Sequence, residues 1–135
     1  MAHADGWIEA YEALEDGCAL SGKLLATVRT NRNNLGESML HWYAIEGDST
    51  VLKKLIDLGF DVNATNMFGR TPLFECVVIG RWEIAELLLE HGARTDIPDQ
   101  NNEDVFAYLE DGGEHSKAQK LKGLTSQLIQ RRAAT

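Results

Sequence analysis

At 135 residues and 15.0 kDa, the chain is long enough to bury one core and too short to divide comfortably into two. Its 44% hydrophobic and 25% charged residues, with twelve glycines and two prolines, exclude a disordered, collagenous or disulfide-scaffold chain. The net charge of -8 is unevenly spread: all 21 acidic and 8 of the 13 basic side chains fall in residues 1–114, a balance of -13, and the remainder is basic.

Met1 to Gly22 carries Asp5, Glu9, Glu12, Glu15 and Asp16 with no Lys or Arg, so it lacks the basic start of an export signal. A helix is expected from about Trp7 to Glu15, with Trp7, Ile8, Tyr11 and Leu14 on one apolar face, and a second from about Leu20 to Thr30. Residues 1–32 are expected to act as a helical cap.

From Asn33 the chain repeats with a period of 33 residues. Gly36-Glu37-Ser38-Met39-Leu40-His41 aligns with Gly69-Arg70-Thr71-Pro72-Leu73-Phe74. Gly47 then falls on Gly80, Val51 on Ile84, Leu55 on Leu88, Ile56 on Leu89, Gly59 on Gly92 and Asn63 on Asp96. A worn third copy places Phe106 on Leu73, Gly113 on Gly80 and Leu121 on Leu88, with Asn102 where a hairpin glycine stood. The units are therefore expected at 33–65, 66–98 and 99–135, the last including a terminal helix.

Each unit reads as two short helices. Ser38 and Thr71 are N-cap residues, and Pro72 suits the first turn, where its missing N–H costs nothing. First helices run about Met39–Glu46 and Pro72–Ile79, and Gly47 and Gly80 end them with left-handed backbone. Second helices, about Ser49–Leu58 and Trp82–His91, offer Val51, Leu52, Leu55 and Ile56, or Ile84, Leu87, Leu88 and Leu89, to the core. Ser116 to Arg132 places Ala118, Leu121, Leu124, Leu128 and Ile129 on a stripe that should close the other end. No helix pair alone encloses its apolar faces, so the units must stack.

Gly69-Arg70-Thr71-Pro72-Leu73, Gly80 and Glu86-Leu87-Leu88-Leu89-Glu90-His91-Gly92-Ala93 resemble the ankyrin consensus, and Asp61-Val62-Asn63-Ala64 resembles its hairpin ending. The resemblance covers about Asn33 to Leu124. It implies an all-α solenoid of stacked helix-turn-helix units with short hairpin loops, here with helical caps of non-consensus sequence at both ends. It also implies a binding surface of hairpin tips and the exposed side of the first helices, forming a concave face. Those positions are Asn34, Leu35, Glu37, Ile45 and Glu46, then Met67, Phe68, Arg70, Val78 and Ile79, then Gln100, Asn101, Glu103 and Asp111. Met67 and Phe68 stand at a hairpin tip where solenoid packing does not require them, and Leu35, Ile45 and Ile79 would line the adjacent concavity, an apolar set with the anatomy of a protein interface rimmed by Glu37, Glu46, Arg70 and Glu103. The competing reading is local packing of Phe68, Val78 and Ile79, and Trp42 and Trp82 fit between helices equally well.

No catalytic constellation emerges. There is no Gly-x-Ser-x-Gly, no phosphate-binding glycine loop and no local signature around either cysteine. His3, His41, His91 and His115 share no ligand spacing, so neither metal nor cofactor is expected. His41 falls where the resemblance implies a histidine bracing neighbouring turns, and Cys76 where it implies a small buried residue. Cys18 and Cys76 read as free thiols of a reducing compartment, which makes the cytoplasm the expected location. No apolar run approaches the roughly 20 residues needed to span a bilayer. Glu83, Glu86 and Glu90 form a solvated outer face.

The expectation is an interaction module, monomeric when free, without a small-molecule substrate. As a freestanding acidic binder it suits an inhibitor or immunity-type protein neutralising a basic partner, because complementary charge speeds association. The alternative is binding of nucleic acid or an anionic surface through Lys117, Lys120, Lys122, Arg131 and Arg132.

Overall fold

Polar caps and glycines cut the chain into short helices whose apolar faces have to meet. A computed structural model describes residues 6–134, with side chains described as far as Arg131; His3, Asp5 and the side chain of Arg132 lie outside the described residues. Among these residues there are eight helices and no strand: α1 (Trp7–Glu15), α2 (Gly22–Thr30), α3 (Met39–Glu46), α4 (Ser49–Asp57), α5 (Pro72–Ile79), α6 (Trp82–Glu90), α7 (Val105–Asp111) and α8 (His115–Ala134). Consecutive helices pair as α1–α2, α3–α4, α5–α6 and α7–α8. First helices stack on first helices, α3 on α5 on α7, and second helices on second, α4 on α6 on α8. The result is the two-row, all-α solenoid that the sequence pattern implied.

The helix starts follow local chemistry. Side-chain oxygens of Ser38, Asp48, Thr71 and Asp104 accept from the backbone N–H of His41, Val51, Phe74 and Ala107, and Pro72 opens α5. Gly47 and Gly80 end α3 and α5 with φ of 84° and 81°. Helix α2 begins at Gly22 instead of Leu20, because Ser21 is extended (φ -155°) and Leu20 enters the core from the preceding link.

Leu40, Leu52, Leu55, Leu73, Ile84, Leu88 and Leu121 form one continuous core through the stack. Two expected stripes differ from the structure. In α1 the buried positions are Trp7, Ala10 and Leu14, whereas Ile8 and Tyr11 are 58% and 38% exposed. Positions 7, 10 and 14 form one helical stripe, and Ile8 and Tyr11 lie along its edge. In α8 burial holds at Ala118 and Leu121, becomes partial at Leu124 and Leu128, and ends at exposed Ile129. A 20-residue helix outruns the 9-residue α6 beneath it, so its far half has no partner of equal length. Ile56 and Leu87 are likewise only partly buried.

Between the helix pairs, three hairpins share one organiser. The side-chain oxygens of Asn33, Asn66 and Asp99 accept from the N–H groups two and four residues ahead: Leu35 and Glu37, Phe68 and Arg70, Asn101 and Glu103. These hairpins then join edge to edge. Met67 N–H donates to the Leu35 carbonyl at 2.9 Å, and Gln100 N–H to the Phe68 carbonyl at 2.8 Å. A Cβ on Gly36 would lie 2.7 Å from Met67 N, and one on Gly69 would lie 2.8 Å from Gln100 N. No hairpin follows the third unit within the described residues. Its equivalent position tolerates Asn102, the one non-glycine residue of positive φ (62°) among them.

His41 fastens the first hairpin to the second. It is fully buried; its Nε2 lies 2.9 Å from the Arg70 carbonyl and its Nδ1 lies 3.2 Å from Ser38 N. The carbonyl needs a proton and the Ser38 N–H needs a lone pair, so the imidazole is neutral, with Nε2–H donating and Nδ1 accepting. Burial pushes its pKa down to about 4, against the opposing pull of the Arg70 carbonyl.

Candidate binding surface

The hairpin tips and first-helix ends leave large apolar side chains in water. Leu35, Met67, Phe68 and Ile79 are 40%, 57%, 39% and 50% exposed. The Met67-to-Leu35 backbone bond joins the tips of the first two hairpins, and the Gln100-to-Phe68 bond joins the second to the third. Ile45 and Val78 are half-buried near the C-terminal ends of α3 and α5, next to exposed Glu46 and Ile79. Asn34, Gln100 and Asn101 are exposed on the tips.

The polar members of the set divide by what they touch. Glu37 is half-buried and its Oε1 accepts from Asn33 Nδ2 at 2.9 Å, bracing its own hairpin. Arg70 lies over the rings of Phe74 and Tyr108, 5.0 and 4.6 Å from their centroids, and 3.6 Å from Glu75. Its cation thus links the second unit to the third. Glu103 and Asp111 share a hydrogen bond that holds the Glu103 carboxyl above its usual range, and burial and the Asp111 charge add to the effect. With Val78, Tyr108 and Lys117 they line a cavity of about 350 Å³.

The basic terminal helix lies against its own chain. Lys117 Nζ donates to the Val78 carbonyl at 2.7 Å, capping α5 in the way that Arg81 Nε caps α3 at the Ile45 carbonyl, 3.1 Å away. Lys120 lies 4.8 Å over Trp82, Lys122 lies 6.0 Å over Phe106, and Arg131 stands 3.8 and 3.7 Å from Glu86 and Glu90. The last two contacts are exposed and contribute little to stability. They do place Arg131 against the carboxylates read from the sequence as a solvated face.

Cys76 is buried, and burial pushes its thiol up to about 12, which removes the thiolate a nucleophile needs; Cys18 is exposed. Among the described residues no three His, Cys, Asp or Glu side chains converge as metal ligands, and no helix is long and apolar enough to cross a membrane. Two features escaped the sequence reading. The hairpin organisers were visible as polar residues at positions 33, 66 and 99, the same 33-residue spacing. The second is an aromatic group formed where α1 meets α3, with Tyr11 5.1 Å and Trp7 6.0 Å from Trp42, centroid to centroid. No local signal marks it, since it depends on how α1 docks against α3.

A solenoid of capped helix pairs joined by edge-bonded hairpins is a scaffold that presents a surface. The family described as Ankyrin repeats (3 copies) matches residues 11–99, more than half of the chain, and the chain belongs to the ankyrin-repeat family. That match starts inside α1 and ends at Asp99, so the terminal unit falls outside it, although its hairpin and helix pair follow the same plan. Among curated proteins the chain is similar to ADP-ribosylation factor GTPase-activating protein AGD4 of Arabidopsis thaliana, 40% identical over 71 residues, 53% of this chain and 9% of that protein. It is 43% identical to Inversin of Danio rerio over 56 residues, 42% of this chain and 6% of that protein. It is 39% identical to Cyclin-dependent kinase 4 inhibitor B of Rattus norvegicus over 56 residues, 42% of each. The chain thus spans less than half the length of each of these relatives. Ankyrin repeats are protein-interaction modules, typically non-catalytic.

Proposed function

We propose that this chain binds a basic partner protein through its hairpin tips and first-helix ends, as an inhibitor or adaptor instead of an enzyme. The observation that supports the reading is the edge-to-edge hairpin bonding, which joins the tips that carry exposed Leu35, Met67 and Phe68. Ile45, Val78 and Ile79 extend the apolar surface, and Glu37, Glu46, Arg70 and Glu103 supply its polar rim. Apolar anchors inside a polar rim carry most of the energy of a protein interface. The balance of -13 over residues 1–114 favours a cationic partner and faster encounter. Similarity to a protein named as a kinase inhibitor supports a role in occupying a partner's surface. The cations that would serve nucleic acid, Lys117, Lys120, Lys122 and Arg131, instead lie against backbone, rings and carboxylates of their own chain.

The test is capture from the source cell followed by titration of the purified partner against wild type and a Met67→Ala, Phe68→Ala double variant. Truncating two anchors should weaken binding about 30-fold or more, at roughly 2 kcal/mol for a hot-spot pair, with the melting temperature unchanged. The association rate should also fall as salt rises from 50 to 500 mM. Equal affinity of a folded double variant refutes the anchors; a salt-independent rate refutes the basic partner.

A further inference from the structure

The N-terminal cap adds a feature that the hairpin surface lacks. Trp7, Ile8, Tyr11, Glu12 and Trp42 line an open pocket of about 330 Å³ where α1 meets α3. Three of its five lining residues are aromatic: Tyr11 is 38% exposed, Trp42 is half-buried and Trp7 is buried. Trp7 and Trp42 stack at 12° between planes, Tyr11 tilts by 32° to Trp42, and the Tyr11 ring continues at 6.0 Å and 18° onto buried Tyr43. Tyr43, in turn, packs 5.6 Å from Trp42, so the four rings form one group spanning both helices. Ile8, 58% exposed, forms the apolar lip, and Glu12 is the charged residue of the lining.

Charge selects the occupant. Ring faces carry the negative lobe of the aromatic quadrupole and attract a cation held within about 6 Å. Glu12 adds a full negative charge at the same mouth, and α1 carries Glu9, Glu12 and Glu15 with no Lys or Arg. An anion would meet repulsion from both sources, and a neutral apolar group would desolvate Glu12 without compensation. A planar guanidinium meets both demands, stacking flat on a ring while its edge N–H groups reach a carboxylate; an ammonium cannot stack in this way. The same chain already builds this arrangement internally, where the Arg70 guanidinium lies over Phe74 and Tyr108 with Glu75 at 3.6 Å.

We infer that the α1–α3 pocket is a second recognition site, receiving an arginine side chain from a basic segment of the partner protein. This deepens the basic-partner reading and rests on it for the source of the arginine. The pocket chemistry can be tested without the partner.

The probe is a five-residue peptide with one arginine flanked by glycine and serine, compared with citrulline and lysine versions and followed by NMR of the Trp7 and Trp42 indole N–H signals. Saturable shifts at both indoles are expected with arginine, with binding at least tenfold weaker for citrulline, which keeps the shape and loses the charge. Lysine should bind several-fold more weakly than arginine. Tyr11→Leu and Glu12→Gln alter exposed positions, so both should fold, and each should weaken the arginine peptide about fivefold or more. Equal binding of citrulline overturns the cation, equal binding of lysine overturns the guanidinium slot, and no response in wild type overturns the site. The Met67→Ala, Phe68→Ala variant should bind the peptide like wild type. Failure of the hairpin anchors with an intact peptide response refutes the hairpin reading alone, and the reverse refutes this pocket alone.

Discussion

Gly69→Ala should lower the stability of the fold by about 3 kcal/mol, combining roughly 1–2 kcal/mol for a side chain in left-handed backbone with roughly 1–3 kcal/mol for overpacking. The residue sits at φ +78°, and an added Cβ would lie 2.8 Å from Gln100 N, 2.9 Å from Asp99 C and 3.0 Å from Asp99 Cα. All three are backbone atoms, so no rotamer change relieves the contact. The shift that would relieve it pulls the second hairpin from the third and breaks the bond from Gln100 N–H to the Phe68 carbonyl. In a stacked array each unit is held by its neighbours, so the loss spreads to α7 and α8. Gly92→Ala is the matched control: its φ is +93°, but nothing lies within 4 Å of the added Cβ. It should cost only the conformational term, about 1 kcal/mol. Urea titration of the two variants against wild type provides the measurement. Equal losses would mean that the hairpins do not approach as described.

Wild-type stability should fall by about 3 kcal/mol between pH 7 and pH 4 through His41 alone, at 1.36 kcal/mol for each unit between unfolded and folded pKa. The native imidazole has a pKa of about 4, against 6.5 for the ordinary side chain. Within that window the unfolded chain binds the proton and the native chain does not, so acid favours unfolding. The contribution is complete above pH 6.5 and is lost as pH falls to about 4. His41→Gln keeps an N–H for the Arg70 carbonyl but cannot titrate there. It should be less stable than wild type at pH 7 by about 2 kcal/mol, the cost of disturbing a buried hydrogen-bonded group. The two stability curves should then cross at about pH 5, leaving the variant roughly 1 kcal/mol the more stable at pH 4. Parallel curves across the window would show that His41 does not carry the proton linkage.

Both predictions concern the joints between units, and there the sequence was legible only in part. Gly36 and Gly69 were recognisable from their 33-residue repeat, and Asn102 from its place in it. What makes the first two intolerant is the backbone of the following hairpin, 2.7 and 2.8 Å from where a Cβ would stand. Asn102 escapes because no such hairpin follows it within the described residues. His41 was readable as a brace through the family resemblance, whereas its neutral state depends on complete burial and on a carbonyl 29 residues away.

The candidate surface divides in the same way. Apolar residues at hairpin tips stood out because local turn chemistry does not call for them. That Arg70 spans the rings of Phe74 and Tyr108, that Lys117 caps α5, and that Tyr11 lies against Trp42 while Ala10 enters the core all depend on docking between units. The sequence by itself determined the period, the helix starts at Ser38, Thr71 and Pro72, the ends at Gly47 and Gly80, and hence the family. Each of these expresses a preference of one residue's own backbone or of its nearest hydrogen bonds. The tertiary structure alone decided which charges face water, which rings gather between α1 and α3 and which glycines touch another backbone. Those outcomes depend on the relative placement of helices and hairpins from different units, which no single stretch of chain encodes.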